Sequence, residues 1–350
     1  LVHGLWGDMT SMLPIHASLL NSQKYNSALL TCADYSSTNS VSFNQNSNVI
    51  KNEINSKLIE LRILKYSAGK VDIVAHSMGG ILSRIYLQKD PCSSNLTSNC
   101  YRNDIHKLIT VNTPHSGTQI ANFLLSNAWG SGVARSVLDF NGMPWNNGAV
   151  ADLKCNSPAI GLLNGIFLNN HVVPSHSIIT DRVPVTTYTS FDEEALANIV
   201  ANSRLESVST FINTVFASTA SDLIVPINSQ QGGLADYSYV NNVKHTSSPS
   251  SLAVANRVKV LLDANPATSA YFNQNTSGFN PPTIAPTFKT DETDLDPYDG
   301  QRSGTVLITS PSVGFTCSEG DVLQINVTAS NNINHLIVTV SNVNTGITSF

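Results

Sequence analysis

The sequence predicts an α/β fold, a mostly parallel sheet with flanking helices, followed by a linker and the start of a β-sandwich module. Three observations carry this. Strand-like and helix-like segments alternate from residue 1 to about residue 263, which implies a parallel sheet covered by helices. A short β-branched run, Val71-Asp72-Ile73-Val74-Ala75-His76, ends abruptly in Ser77-Met78-Gly79-Gly80 and leads into a helix-like stretch through Gln88. From Thr305 onward the helix period is gone and only short strand-like pieces separated by turn residues remain.

The elements follow in chain order. Leu1-Val2-His3-Gly4 reads as the last residues of a strand, so the expectation is a fragment whose upstream strands and signal peptide are not included. Residues 48–66 place Ile50, Ile54, Leu58, Leu61 and Leu64 at helical spacing, with Gly69 near the stop. Residues 70–75 and 108–112 are short buried-type strands, and 211–217 is strand-like. Residues 251–263 read as a closing amphipathic helix. Between Thr118 and about Glu206 the alternation breaks, with glycines, Trp129, Trp145 and Phe123-Leu124-Leu125. This segment is either a cap inserted at about 119–206 or a set of ordinary connecting helices. The expected domains are thus 1–264, a Pro- and Asp-rich linker over 265–304, and an immunoglobulin-like β-sandwich begun at 305–350 and cut short. Asp294, Asp296, Asp299 and Gly300 match a calcium loop only in part, and Pro297 and the missing glutamate argue against one.

Composition removes several classes of function. The chain has 350 residues, a net charge of −5 and 12% charged residues, and its isoelectric point is about 6.0. No basic stripe occurs, which excludes nucleic acid as the expected partner. No run approaches the roughly 18–20 apolar residues of a membrane span. Of the five cysteines, Cys92 and Cys100 bracket a polar loop and are expected to pair, and Cys32 with Cys155 is a second candidate pair. Cys317 is left over, and the lack of C-x-x-C argues against zinc or thioredoxin chemistry. Low charge, a polar uncharged surface and a loop disulfide point to a secreted or cell-surface protein.

The chemistry centres on Ser77. Four serines have Gly at +2 (Ser67, Ser77, Ser312, Ser318), and only Ser77 also has Gly or Ala, here Ala75, at −2. A strand-to-helix turn this tight strains the serine backbone and exposes its hydroxyl, while larger residues at 75 and 79 would collide with the neighbouring strand and helix. A serine needs a base and an orienting acid. His245 is the only histidine between Asp222 and the closing helix. His171 and His176 lie in the irregular region, His106 and His115 come early in the sheet, and His335 is in the tail. Asp222 precedes His245 by 23 residues, with Asp181 and Asp236 as the other candidate acids. A tetrahedral intermediate also needs two N–H donors. Met78, after the nucleophile, supplies one, and Leu5 in the glycine-flanked loop His3-Gly4-Leu5-Trp6-Gly7 supplies the other, leaving His3 a structural role.

Taken together, Val2 to Gly7, Ala75-His76-Ser77-Met78-Gly79-Gly80, Val111-Asn112-Thr113-Pro114-His115-Ser116-Gly117-Thr118 and Ser221-Asp222-Leu223-Ile224-Val225-Pro226 resemble an α/β-hydrolase of the bacterial lipase/esterase kind over about residues 1–263. The resemblance implies Ser77 as nucleophile, His245 as base, Asp222 as orienting acid and Leu5 and Met78 as oxyanion donors, with His115 as a supporting residue. It implies carboxylester hydrolysis through an acyl-enzyme, an ester or lipid substrate, peripheral contact with a lipid interface and no cofactor. The calcium pair that some bacterial lipases carry is not evident. Acyl transfer or amide cleavage by the same triad, and surface binding on a non-catalytic hydrolase scaffold, are the alternatives.

Overall fold

The computed structural model describes residues 1–92, 100–165, 173–185, 191–272 and 278–288, and beyond these only the backbone of four short strands. The chain divides into two units, Leu1–Asp294 and Leu295–Phe350. The described elements of the first unit are α1 (Leu13–Asn21), α2 (Phe43–Asn46), α3 (Val49–Ile63), β1 (Val71–His76), α4 (Met78–Leu87), β2 (Ile105–Val111), α5 (Gln119–Leu124), α6 (Ser131–Phe140), α7 (Ala149–Asp152), α8 (Pro158–Leu163), β3 (Ser175–Thr180), α9 (Glu193–Ser203), α10 (Val208–Val215), α11 (Ile227–Gln231), β4 (Tyr237–Val240) and α12 (Leu252–Asp263).

The four strands pair in the order β1-β2-β3-β4, all parallel. Val2 lies beside β1 through isolated parallel bridges to Ala75 and Ala33, and the opening residues form no strand of their own among the described residues. Both faces of the sheet are covered, which is why its strands read as nearly continuous apolar runs. Val74, Ile109 and Ile178 pack with Ile15 and Leu19 of α1 and with Val254, Val258 and Leu261 of α12. Ile73, Ala75 and Leu108 face the larger cluster, which includes Ile50, Ile54 and Leu58 of α3 and Ile81 and Tyr86 of α4. Lys107 of β2, 2% exposed, donates to the carbonyls of Leu261, Leu262 and Ala264 at 3.2, 2.6 and 3.0 Å. It caps the C-terminus of α12, where a cation is favoured by the helix dipole.

Four sequence expectations need correction. Residues 211–215 belong to α10 and 216–217 to the turn that ends it, not to a strand: Val208, Phe211, Ile212 and Val215 form one buried helical stripe and Ser207 caps it by accepting from Thr210 N, and a short β-branched run does not by itself separate the two periods. Residues 119–206 are not one insertion, because β3 lies inside them and pairs with β2 and β4. Its sequence, Ser-His-Ser-Ile-Ile-Thr, is buried throughout by hydrogen bonding more than by apolar content. Cys92 and Cys100 are bonded as expected, but Cys32 and Cys155 are free thiols. Cys317 lies outside the described residues. Of the second unit, two antiparallel strand pairs are described, β5 (Val306–Ser310) with β6 (Asn326–Ala329) and β7 (Val340–Ser341) with β8 (Thr348–Ser349); the rest of the expected sandwich lies outside the described residues.

The fourth correction concerns the linker. Residues 278–288, expected to be part of it, form a strap bound to the first unit. Asn280 N donates to Gly232 O at 3.1 Å, Ser116 Oγ to Pro282 O at 2.5 Å and Thr287 Oγ1 to Val215 O at 2.6 Å. Phe279 stacks on His115 with centroids 4.5 Å apart, and Phe288 meets Phe123 edge-on at 5.1 Å. The positive φ of Gly233 (+70°) and its closeness to the strap both require glycine, since a Cβ there would lie 1.8 Å from Asn280 O. Proline-rich composition suggests a spacer, but here the phenylalanines and Ile284 between the prolines bury it. Truncating one anchor tests the strap. Phe279→Ala is expected to lower unfolding free energy by about 3–5 kcal/mol, read from urea denaturation midpoints.

Candidate active site

β1 delivers the chain to Ser77 and α4 starts one residue later. Ser77 has φ 54° and ψ −129°, a conformation that costs a non-glycine residue about 1–3 kcal/mol and persists only where its surroundings enforce it. Its N–H donates to Val111 O at 2.9 Å and its carbonyl accepts from Gly80 N at 3.0 Å. Glycines permit the close approach on every side. A Cβ on Gly79 would lie 2.5 Å from His3 O, one on Gly80 2.1 Å from Thr113 Oγ1, and one on Gly4 2.7 Å from Ser77 Cβ.

The structure brings Ser77, His245 and Asp222 together. Ser77 Oγ donates to His245 Nε2 at 2.8 Å, and His245 Nδ1 donates to Asp222 Oδ2 at 2.7 Å, with the imidazole protonated on Nδ1. His245 sits in the loop after β4, at the start of a 3₁₀ turn running to Ser250. Asp222 is fully buried in a turn closed by Ser221 and Pro226. Its Oδ1 accepts from Ile224 N at 3.0 Å and Val225 N at 2.7 Å. Burial pulls the His245 imidazole down, but the charge and hydrogen bond of Asp222, with Glu193 behind them, outweigh it, and its pKa lies above the ordinary imidazole value.

The other candidates are used elsewhere. Asp181 accepts from Asn242 N and Val243 N, and Asp236 accepts from Ser177 N through its carbonyl. His176 bonds Tyr271 O and Ser238 Oγ inside the sheet, and His106 pairs with Asp72. His115 is fully buried against Arg84 and Phe279. His171 and His335 lie outside the described residues.

Leu5 lies in the loop that touches Ser77 through Gly4. Neither the Leu5 nor the Met78 N–H has a hydrogen-bond acceptor among the described residues, so both amides are free for a ligand. His3 holds the loop: its Nδ1 donates to Gly4 O at 2.9 Å, its Nε2 accepts from Tyr35 N at 3.3 Å, and its ring stacks on Tyr35 at 4.1 Å. Burial lowers its pKa and keeps it neutral for this role.

Two contributors had no role assigned from sequence. Asn112, at the end of β2 with φ 52°, donates to Asp222 Oδ2 at 2.5 Å, completing four hydrogen bonds to that carboxylate. Its only sequence signal is its place after a strand, within the run Val111 to Thr118. His76 Nε2 donates to the His245 carbonyl at 3.1 Å, and burial first, then the His245 charge, push its pKa well down. An apolar cleft lined by Ile120, Phe123, Leu196, Phe211, Leu223 and Ile224 adjoins the Asp222 turn. A cavity of about 330 Å³ at the other end of the strands, among Lys70, His106, Pro174 and Pro266, contains no triad residue. No group of three or more His, Cys, Asp or Glu side chains suited to a metal occurs among the described residues.

A family described as "Putative serine esterase (DUF676)" matches residues 1–139, which include the Gly4 loop, Ser77 and Asn112 but neither Asp222 nor His245. No curated protein matches the chain. Among solved structures, the propeptide form of Bacillus licheniformis lipase BlEst2 superimposes with TM-score 0.53 at 16% identity, over 75% of this chain and 50% of that one. The mature form of the same lipase gives 0.51 at 16% identity, over 74% and 89% respectively. The chain thus spans half the length of the first of these and most of the second. With the parallel sheet and the Ser77 turn, this likeness shows that the first unit shares the α/β fold of that structure.

Proposed function

We propose that the chain is a serine carboxylester hydrolase acting on acyl esters, with lipids as the favoured substrates. The observation that carries this reading is the unbroken row of hydrogen bonds from Ser77 Oγ through His245 to Asp222, beside two amides with no acceptor. Ser77 Oγ attacks the ester carbonyl carbon while His245 Nε2 takes its proton. The carbonyl oxygen becomes an oxyanion held by the Leu5 and Met78 N–H groups. Asp222 faces the imidazolium that forms. Collapse breaks the ester C–O bond, and His245 returns the proton to the leaving alcohol. A water molecule, deprotonated by His245, then attacks the acyl-Ser77 carbonyl, and the acid and free Ser77 are released.

The apolar cleft beside Leu223 and Ile224 is about 20 Å³, so an acyl substituent there requires its side chains to move apart. Met9 and Leu13, which follow the Val2 bridge, Val183 and Phe191, which follow β3, and Leu252, which follows β4, are all exposed apolar side chains. The chain reaches them after leaving the parallel sheet at the same end as Ser77 and His245, which favours a substrate at a lipid interface. The Cys92–Cys100 disulfide supports an oxidising compartment and hence secretion or display at the cell surface.

Three outcomes are expected. Wild-type protein hydrolyses nitrophenyl esters, and Ser77→Ala lowers kcat by roughly four to six orders of magnitude; a folded wild-type protein inert on short, medium and long acyl chains overturns the reading. Gly4→Ala, whose Cβ would collide with Ser77, loses most kcat while circular dichroism is unchanged. The base works as neutral imidazole, and its pKa is raised above 6.5. The acid limb of kcat/KM therefore inflects above pH 6.5, activity rising as His245 deprotonates.

A further inference from the structure

We propose that Glu193 is a positioning residue for His245: from the first turn of α9 it grips the residue next to the histidine and sets a second negative charge beside the imidazole. The proposal rests on the reading of His245 as the base. Glu193 is buried, and both its oxygens are committed to one neighbour of the histidine. Thr246 N donates to Oε1 at 2.8 Å and Thr246 Oγ1 to Oε2 at 2.6 Å. On the other side of the histidine, Lys244 Nζ donates to Asp192 Oδ2 and, at 3.4 Å, to Glu194 Oε2. The His245 loop is therefore fastened at 244 and 246 to three successive acidic residues.

Those three carboxylates are not equivalent. Asp192 is paired with Lys244, and Glu194 with Lys244 and with Arg182 Nε at 2.6 Å. Glu193 has no cationic partner among the described residues, and Thr246 supplies its hydrogen bonds. Holding Thr246 requires only acceptors, which a glutamine could partly provide. The charge has a use only if something nearby becomes positive. The titratable groups around His245 are Asp222, Glu193 and His76, with Lys244, Arg182, Asp192 and Glu194 balanced among themselves. His76 is kept neutral by burial. When the Ser77 proton reaches Nε2, the imidazolium faces Asp222 at Nδ1, and the interaction of His245 with Glu193 already favours its protonated form. Burial raises the Glu193 carboxyl, opposed by its Thr246 hydrogen bonds and the His245 charge.

The test compares wild type, Glu193→Gln, Glu193→Asp and Thr246→Val. Imidazole NMR titration of His245 reads the charge directly, with no substrate. Removing a neighbouring carboxylate disfavours imidazolium, so in Glu193→Gln the His245 titration and the acid limb of kcat/KM both move down by on the order of one pH unit, and kcat falls roughly tenfold. Glu193→Asp restores the acid limb but not the full kcat, because the shorter side chain no longer reaches both Thr246 donors. Thr246→Val keeps the charge and loses the hydroxyl donor, so it leaves the titration in place and lowers kcat several-fold at constant KM. An unmoved His245 titration in folded Glu193→Gln overturns the proposal. Should that variant not fold, wild-type kcat in both Glu193→Asp and Thr246→Val overturns it. A shifted titration in a protein that hydrolyses no ester sinks the hydrolase reading and leaves the electrostatic role of Glu193 standing.

Discussion

The turn at Ser77 carries a backbone conformation that a serine does not adopt unaided, and the arrangement of the sheet edge around it follows from keeping it there. Val2, His76, Val111 and Ile178 lie along one row of the parallel ladder: Val2 accepts from His76 N, and His76, Val111 and Ile178 are successive register partners. The chain leaves the sheet just after Val2, His76 and Val111, and β3 runs on two residues past Ile178 to Thr180. The Gly4 loop, the Ser77 turn, Asn112 and Thr180 thus emerge at one level and close on one another within hydrogen-bonding distance. Strain at one residue is offset by hydrogen bonds spread over three strands. The absence of side chains at 4, 79 and 80 is the geometric condition for that closure.

Charge is handled with the same care. The first unit buries Asp222, Lys107 and Arg84 almost completely, and isolated ions in such a setting would be costly. Asp222 has four donors. Lys107 has three carbonyl acceptors at a helix end. Arg84, with no carboxylate against it among the described residues, rests on Asn164 Oδ1 at 2.8 Å, on the Leu163 and His115 carbonyls and on the Phe279 ring, and burial pushes its pKa down to about 9. At His245 two carboxylates, Asp222 and Glu193, act on one imidazole, and that is where a positive charge forms during the proposed cycle.

What the sequence made legible was local. The Ser77 run carries its own requirements for small neighbours within five residues, so it could be read without a fold. The order serine, acid, histidine then pointed to His245 and put Asp222 ahead of Asp181 and Asp236. The Asp222 turn declares itself in Ser221 to Pro226, where the carboxylate caps its own following amides. Asn112 and Glu193 could not be found this way. Their contacts span 110 and 53 residues, and a buried glutamate beside two other acids reads as a solvated face. β3 was obscured because hydroxyl and imidazole groups stand where apolar residues usually mark a buried strand. α10 was misread because β-branched residues fill a helical stripe as readily as a strand.

The strap has a consequence for how the protein is made. Pro282 meets Ser116 across 166 residues of sequence, and Phe288 completes packing around Phe123. A ribosome extends the chain by about 5–20 residues per second. The triad residues therefore emerge well before the segment that covers His115, Gly232 and Phe123. Until residue 288 is clear of the exit tunnel, the nascent unit presents an open apolar seam along α5 and α10. The interval between synthesis of His245 and of Phe288 is the period in which this chain most needs a chaperone or a slow neighbour, and codon usage over residues 246–288 would set its length.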